Sequence, residues 1–277
     1  QAVQRLASYA DLERHGCTIE EREEYELHID RGYVVYAGVD YQAVVRRAEL
    51  ECDVLLWDGG NNDLPFVRPD LWITVADPLR PGHETEFYPG EANLRAADVV
   101  IVAKATDAPT GQVQAVVAAA QAANPSATVL RAGSRLVVPD GEQLRGKRVL
   151  LVDDGPTLTH GGMPFGAAQV AAQRYGAAEL ADPKPHAVGS MAETFQKFPH
   201  LHHTLPAMGY SAGQVAELEA TINATPCDVV VYATPIDLGR LLHLGMPAVR
   251  VQYEYEELDT PGLGAIVDEF AQLLHRD

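Results

Sequence analysis

The chain has 277 residues, of which 47% are hydrophobic and 22% charged, a composition typical of a globular protein with a sizeable core. Its formal net charge of −18 argues against non-specific binding to nucleic acid, which requires a basic surface. No apolar run reaches the roughly 20 residues that cross a bilayer, so we expect no membrane association. Three scattered cysteines favour a reduced, cytoplasmic protein.

Short apolar runs alternate with longer helical patterns, which predicts an α/β fold with a doubly wound, mostly parallel sheet. The predicted strands are Tyr33–Ala37, Val54–Trp57, Leu71–Ala76, Val99–Ala103, Thr128–Arg131, Arg148–Val152, Asp228–Ala233 and Ala248–Tyr253. The predicted helices include Tyr41–Glu51, Gln112–Ala123, Gly166–Tyr175, Ala212–Asn223 and Leu263–His275, with Ser211 and Asp237 as N-caps. Proline and glycine interrupt the periodicity near 140–146, so we predict two domains, residues 1–145 and 146–277.

An acidic segment near the start of the chain allows two interpretations. Thr18 and Glu21 have the spacing of a capping box, and acids are favoured at a helix N-terminus by the macrodipole. Alternatively, Glu20 or Glu21 is a second carboxylate ligand of a metal ion, beside Asp58.

Residues 53–63 place an acid and two glycines directly after an apolar run. We predict that Asp58 lies at the carboxyl edge of the sheet and binds Mg²⁺, as acids do in nucleotide-binding α/β folds. Gly59 and Gly60 would let the backbone approach a phosphate, with Asn61 supplying a polar group beside it. The alternative is an ordinary turn, because Asp and Gly are common turn residues.

The loop after the predicted strand Leu71–Ala76 combines an acid, an arginine and a histidine. Arg80 and Arg95 would bind phosphate and His83 would donate to it or transfer a proton, because guanidinium groups pair bidentately with phosphate. The alternative is a surface ion pair between Arg80 and Asp77, without functional meaning.

Lys104 and Asp107 follow the predicted strand Val99–Ala103. They have the place and spacing of the base-reading NKxD segment of GTP-binding proteins, with Ala103 where the asparagine would stand. We predict that they flank the base of a bound nucleotide, and a plain strand-end turn is the alternative.

Residues 153–166 form the loop of the second half that is richest in candidate ligands. The loop follows a predicted strand and leads into a predicted helix, a layout in which free N–H groups bind anions. We predict that it binds phosphate, with His160 as a catalytic residue. The predicted phosphate ligands are Thr157, Thr159, Gly161 and Gly162.

Residues 141–147 fit the Gly-x₄-Gly-Lys spacing of a phosphate-binding P-loop. Arg148 stands where the motif needs Ser or Thr, and the segment precedes a predicted strand instead of following one. We therefore interpret it as a turn.

Several segments together resemble the cyclic 2,3-diphosphoglycerate synthetase family, whose members are P-loop GTPase-like proteins. The resemblance is carried by residues 17–26, 36–41, 56–63, 76–78, 80–83, 154–164, 206–210, 218–225 and 234–238. It implies a P-loop NTPase-like core within residues 1–145 and an α/β substrate-binding domain at 146–277. It also implies an enzyme that uses ATP, with GTP as the alternative, and Mg²⁺ to close 2,3-bisphosphoglycerate into a cyclic phosphoanhydride.

In that resemblance Asp58 holds Mg²⁺, while Arg80, His83 and Arg95 neutralise the substrate or transferring phosphate. The loop at 157–162 cradles the second anion. The family carries a Rossmann-like region and a P-loop that are not found before Gln1, so we expect the C-terminal part of a longer protein, inactive without its P-loop. Two alternatives remain, another P-loop hydrolase or phosphotransferase and a non-catalytic nucleotide- or phosphate-binding module. Assembly into a homo-oligomer is left open.

Overall fold

The computed structural model describes residues 1–60, 63–159, 165–208 and 211–274. The chain forms two compact units, and each unit combines segments that are distant in sequence. Unit 1 comprises residues 1–51 and 136–252, and unit 2 comprises residues 52–135 and 253–277. The chain therefore passes between the units after residues 51, 135 and 252, whereas the sequence predicted one boundary at residue 145.

The first 51 residues form a small helical layer beside an antiparallel pair of strands. Its elements are β1 (Gln4–Leu6), α1 (Tyr9–His15), α2 (Ile19–Asp30), β2 (Val35–Ala37) and α3 (Tyr41–Ala48), with β1 paired to β2. Each helix begins at a side-chain cap: Ser8 for α1, Thr18 for α2 and Asp40 for α3. These caps satisfy backbone N–H groups that the first helical turn would leave unpaired.

Residues 52–135 contribute three parallel strands and the helices that connect them. The elements are β3 (Ile73–Ala76), α4 (His83–Glu86), α5 (Gly90–Ala96), β4 (Val99–Val102), α6 (Thr110–Ala123) and β5 (Thr128–Val137). The predicted strand Val54–Trp57 is wrong, because residues 54–60 have no regular secondary structure. Its apolar side chains are exposed, and Leu56 keeps 79% of its accessible surface.

Residues 136–277 contain the largest sheet and the last helix. The elements are β6 (Arg148–Asp154), α7 (Gly155–Thr159), α8 (Ala167–Arg174), β7 (Glu179–Leu180), α9 (Gly189–Lys197), β8 (Thr204–Ala207), α10 (Ala212–Ala224), β9 (Val229–Ala233), α11 (Leu238–Leu241), β10 (Ala248–Arg250), β11 (Gln252–Glu257) and α12 (Leu263–Leu274). Short 3₁₀ helices lie at Gly141–Leu144 and Lys184–His186. The first of these confirms that the P-loop-like spacing belongs to a turn.

The large sheet of unit 1 is parallel and covered by helices on both faces. β6 pairs with β9 along one edge and with β7 and β8 along the other, and β10 extends the sheet beyond β9. Alternate residues of β6 enter different cores: Val149 and Leu151 pack with α8, while Leu150 and Val152 pack with α9 and α10. The sheet thus confirms the predicted α/β class, with apolar strands buried on both sides.

The order of these strands creates a topological switch point. The chain leaves β6 for β7 and β8 on one side and then crosses to β9 and β10 on the other. In such sheets, ligands bind beyond the carboxyl ends of the two strands where the direction reverses. The loops that follow β6 and β9 are therefore the expected binding position in unit 1.

The sheet of unit 2 has the strand order β11-β5-β4-β3. Helices α5 and α6 cover one face through a core that includes Leu94, Val113 and Val116, and Leu263 and Ile266 of α12 pack on the other. β3 is the edge strand, since β4 is its only partner among the described strands. Val75 on β3 is 65% exposed. No helix in the described part of the chain is both long and apolar enough to cross a membrane.

Candidate functional site

In unit 2, an ion pair joins the loops that follow β3 and β4. Lys104 Nζ lies 2.8 Å from Asp77 Oδ2, at the carboxyl ends of these neighbouring strands. Burial raises the pKa of the Asp77 carboxyl, but hydrogen bonds from Lys104 and the Leu79 N–H outweigh it, and the net pKa is below the usual value. Asp77 thus pairs with Lys104, and the predicted alternative partner Arg80 instead donates its backbone N–H to the Asp77 carbonyl.

Lys104 holds an unusual backbone conformation, with a φ of 52°. The Asp107 N–H donates to the Lys104 carbonyl at 3.0 Å, so the two predicted base-flanking residues belong to one tight turn. The Ala105 N–H donates to the Ala132 carbonyl of β5, which ties this turn to the next strand. Non-glycine residues with positive φ are uncommon and concentrate at functional sites and in turns, so the base-flanking role of Lys104 and Asp107 stays a prediction.

The segment that carries Asp58 is folded back on itself. The Trp57 ring lies over Gly59, where a Cβ would come within 2.2 Å of Cη2, so only glycine fits. The Gly60 carbonyl accepts the Asp63 N–H at 3.1 Å, and the Asp63 carbonyl accepts Asn93 Nδ2 of α5 at 2.9 Å. Gly59 and Gly60 therefore act locally in the turn, Asp58 is exposed beside them, and Asn61 lies outside the described residues.

The predicted phosphate-binding side chains of unit 2 are differently placed. Arg80 and His83 are both exposed, and the His83 ring packs edge-on against Phe87 with centroids 4.7 Å apart. Arg95 pairs with Glu91 on its own helix and donates to the Ala123 carbonyl at the end of α6. Arg80 and His83 thus remain accessible to a ligand, whereas Arg95 fastens α5 to α6.

Glu21 in unit 1 has the capping role that the sequence offered as one of two interpretations. Its Oε2 accepts the Thr18 N–H at 2.8 Å, and Thr18 Oγ1 accepts the Glu21 N–H at 3.3 Å. This reciprocal pair is a complete capping box. One carboxylate oxygen of Glu21 is therefore engaged by the helix start.

At the switch point of unit 1, Asp153 is the penultimate residue of β6 and a buried carboxylate that the sequence analysis did not single out. Its side chain is only 2% exposed, and it accepts the N–H groups of Gly166 at 3.1 Å and Ala168 at 2.9 Å. Burial raises the pKa of Asp153 to about 7, although the two N–H donors counteract this. A buried acid that titrates near neutral pH can exchange a proton, which is typical of functional sites.

Asp153 also changes the prediction for the loop that follows it. Two N–H groups at the start of α8, those of Gly166 and Ala168, bind this carboxylate, so these two are not free to cradle a phosphate as the sequence suggested. Gly166 allows the approach, because a Cβ there would lie 2.5 Å from Asp153 Cγ. The sequence signal for this buried carboxylate is the pair of acids at 153–154, which directly follows a predicted apolar strand.

The remaining residues of this loop are partly described. Thr159 is buried and donates its hydroxyl to the Gly155 carbonyl at 2.8 Å. Thr157 lies on α7, and His200 Nε2 contacts the Leu158 carbonyl of that helix at 3.0 Å. The other predicted ligands, His160, Gly161 and Gly162, lie outside the described residues.

A charged cluster follows β9, the second strand of the switch point. Asp237 caps α11 and accepts the Tyr232 hydroxyl at 2.6 Å, and its other oxygen lies 3.6 Å from Arg250 Nη1. Burial, together with the bond to Asp237, raises the pKa of Tyr232 well above its usual range. Arg250 also donates Nη2 to the Pro235 carbonyl at 2.7 Å. These groups were predicted only as a helix cap, because their convergence depends on the pairing of β9 with β10.

Comparison with known proteins finds a relative that matches nearly the whole chain. The chain is 56% identical over 272 residues to a protein of Thermococcus kodakarensis named arginine synthetase ArcE. The match covers 98% of this chain, and the chain spans 61% of the relative's length. No protein-family model matches the chain.

Proposed function

We propose that this chain is part of an ATP-dependent synthetase in which phosphoryl transfer activates an oxygen atom of a small substrate. The observation that carries the proposal is its 56% identity to a protein named arginine synthetase, over nearly the whole chain. Exposed loops at the carboxyl ends of parallel strands in both units support it, since ligands of α/β sheets bind there. Because the chain spans 61% of that relative, the activity would belong to the complete gene product.

Arginine is the product that we favour. Citrulline carries an oxygen where arginine carries one guanidino nitrogen. Transfer of a phosphoryl group from ATP to that oxygen releases ADP and creates a leaving group. Ammonia then adds to the carbon, phosphate departs with the oxygen, and the excess proton passes to a base or to water.

Formation of cyclic 2,3-diphosphoglycerate is the second candidate, supported by the resemblance of residues 56–63 and 154–164 to that synthetase family. It shares the first step, because one phosphate of 2,3-bisphosphoglycerate would accept the phosphoryl group before the other displaces phosphate. In either case the site must neutralise negative charge on transferring phosphate. A small phosphorylated species is thus the ligand expected in both reactions.

The magnesium ion of the proposed synthetase would be held by few protein ligands. Within residues 1–60, 63–159, 165–208 and 211–274, no three His, Cys, Asp or Glu side chains converge as a metal site. Mg²⁺ commonly binds one or two carboxylates and completes its shell with water and phosphate. We propose Asp58 as such a ligand. Glu21, the other predicted ligand, belongs to the capping box of α2 in unit 1. Bound Mg²⁺ would neutralise charge on the nucleotide phosphates.

We assign the nucleotide to residues 58–61 and to the turn that contains Lys104 and Asp107. ATP is the proposed nucleotide and GTP the alternative, because Ala103 replaces the asparagine of the base-reading motif. Arg80 and His83 would bind the transferring phosphate. Arg95 would support them indirectly, because it fastens α5 to α6. In unit 1, a separate anion would bind at Thr157, Gly161 and Gly162, with His160 transferring a proton. Thr159 would hold the loop instead, because its hydroxyl is engaged by the Gly155 carbonyl.

The phosphate cradle itself is missing from this sequence, which contains no Gly-x₄-Gly-Lys-Ser/Thr. We therefore expect the 277 residues alone to turn over slowly and a P-loop NTPase-like core to be completed elsewhere. Another P-loop hydrolase or phosphotransferase is an alternative enzyme, and a non-catalytic nucleotide- or phosphate-binding module is the alternative if no such segment exists. A cytoplasmic location and self-association into a homo-oligomer remain part of the proposal.

The test is ADP release by the complete gene product with ATP and Mg²⁺. Release that requires citrulline and ammonia, with arginine formed in equal amount, supports the favoured function. Release that requires 2,3-bisphosphoglycerate supports the second candidate, and release that needs neither overturns both.

Variants of two acids in unit 2 test the metal role. We expect Asp58→Asn to reduce Mg²⁺-dependent turnover about a hundredfold or more, because a metal contributes several kcal/mol to transition-state stabilisation. Asp70→Asn, which changes another exposed acid of the same unit, should leave the rate unchanged. An unchanged rate in Asp58→Asn would refute the metal role of Asp58.

A further inference from the structure

A second candidate site lies in the first 51 residues, and none of the switch-point residues described above lines it. An open cleft of about 680 Å³ is formed by β1, β2 and α3 together with the turn after α3. Its charged lining consists of Arg5, Asp40, Arg46, Arg47 and Glu51. The volume lies in the range that small-molecule sites usually have.

The two acids of this cleft are already engaged by the protein. Asp40 Oδ1 accepts the Ala43 N–H at 3.0 Å and so caps α3. Glu51 is held bidentately by Arg5, with Nε–Oε1 at 2.6 Å and Nη2–Oε2 at 2.7 Å, and it also accepts the Tyr36 hydroxyl. Both carboxylates therefore serve local structure.

Arg46 and Arg47, in contrast, present unused guanidinium groups. Helix α3 buries Val44 and Ala48 and leaves both arginines exposed. Among the residues that the structure describes, neither arginine side chain has a hydrogen bond or an ion pair within 4.0 Å. In a chain with a net charge of −18, two adjacent unneutralised cations are a local exception.

The electrostatics of Glu51 agree with positive charge on its side of the cleft. Hydrogen bonds from Arg5 and Tyr36, with the charges of Arg5 and Arg47, lower the pKa of Glu51 to about 2. A second anion in the open part of the cleft would experience the same guanidinium groups, without the competition of a free carboxylate.

We propose that this cleft binds a small phosphorylated molecule through Arg46 and Arg47, with Arg5 as a further positive charge. Guanidinium groups pair bidentately with phosphate, and two adjacent arginines match its double charge. The Tyr36 ring and Leu50 line the same cleft and offer apolar surface to the organic part of the ligand. This site is independent of the proposed synthetase chemistry.

A purely structural role for these arginines would be to stabilise the last turn of α3. Cations near a helix C-terminus interact favourably with the macrodipole, and lysine does this as well as arginine. Arg46→Lys/Arg47→Lys therefore keeps the structural contribution and removes the bidentate geometry. The two roles can be separated by comparing phosphate affinity with thermal stability in this variant.

The experiment is calorimetric titration of the 277-residue chain with inorganic phosphate and with adenosine 5′-monophosphate at low salt. Backbone amide shifts of residues 41–51 locate the binding. We expect Arg46→Ala/Arg47→Ala to weaken the affinity at this site about tenfold or more, and the double lysine variant to weaken it less, with unchanged thermal stability. Arg145→Ala, which removes an exposed arginine paired with Glu142, is the matched control and should bind like the unmodified chain.

Three results would overturn the proposal. They are the absence of phosphate-dependent shifts in residues 41–51, an affinity unchanged in the double alanine variant, and equal binding of acetate, which would indicate a general anion surface.

Discussion

Two segments of this chain have almost the same sequence and different structures. Residues 54–60 are Val-Leu-Leu-Trp-Asp-Gly-Gly, and residues 149–155 are Val-Leu-Leu-Val-Asp-Asp-Gly. The second is the central strand β6, paired along both edges and covered on both faces, whereas the first forms no strand and exposes its leucines. The local sequence therefore does not determine the structure of these runs. Whether an apolar run becomes a strand depends on the neighbouring strands that pair with it and the helices that cover it.

The largest expected difference in stability comes from substituting a leucine in each of these two segments. We expect Leu151→Ala in β6 to lower the free energy of unfolding by about 2–5 kcal/mol, because it leaves a cavity between the sheet and α8. Leu56→Ala should change it by less than about 0.5 kcal/mol, since that side chain is exposed. Urea unfolding followed by circular dichroism measures both. A Leu56→Ala loss as large as that of Leu151→Ala would mean that residues 54–57 are buried in solution.

Asp153 and Asp58, which occupy matching positions in the two segments, should differ in their effect on the pH dependence of stability. The Asp153 pKa is about 7 in the native protein and about 3.8 in the unfolded chain. Between these two pKa values the native state keeps a proton that the unfolded state has lost. Protonated Asp153 therefore contributes its full stabilisation below about pH 4, and this contribution is lost as the pH rises through about 7.

Asp153→Asn should therefore flatten the fall in the urea midpoint between about pH 4 and pH 7. The amide also loses one acceptor for the N–H groups of Gly166 and Ala168, so overall stability falls at every pH. Asp58→Asn, at the matching position of the exposed segment, should retain the original slope. An unchanged slope in Asp153→Asn would show that Asp153 is ionised throughout this range.

The last glycines of the two segments, Gly155 and Gly60, should differ less in the stability lost on substitution. A Cβ at Gly155 would meet the Ala207 carbonyl oxygen at 2.5 Å, so Gly155→Ala must displace the end of β8. We expect a loss of about 1–3 kcal/mol in the free energy of unfolding. Gly60→Ala should be nearly neutral, because the nearest atom, Asp63 Oδ2, is 3.6 Å away. Equal thermal midpoints for the two variants would contradict the tight contact at Gly155.

The smallest effect is expected at the ion pair of unit 2. Lys104→Ala removes a half-exposed partner of Asp77 and should cost about 1 kcal/mol or less. Lys104→Gly removes the same pair but relieves the positive φ, so it should be more stable than Lys104→Ala. Thermal unfolding of the two variants gives this order, and the reverse order would argue against backbone strain at Lys104.

Much of unit 1 could be predicted from sequence because its signals are local. β6, α8, α10 and the caps Ser211 and Asp237 lie where apolar periodicity and capping residues placed them, to within a residue or two. The short strands β7 and β8 were not predicted, because they contain few β-branched residues and are defined by pairing with β6.

The candidate site was less predictable than the fold. The sequence identified the loops after β3, β4 and β6, since acids and glycines at strand ends are visible in a single chain. It could not show that Asp153 occupies the start of α8, or that Lys104 rather than Arg80 pairs with Asp77. These contacts join residues 13 to 27 positions apart, and only the tertiary fold brings them together.

The division of the chain into interleaved units has a consequence for its synthesis on the ribosome. Unit 2 needs residues 253–277, which emerge after all of unit 1 has been made. Until Leu263 and Ile266 arrive, the sheet face formed by Val99, Ile101 and Leu130 has no cover from α12. The nascent chain must therefore carry this uncovered apolar surface while residues 136–252 are made, a period in which chaperones would normally shield it.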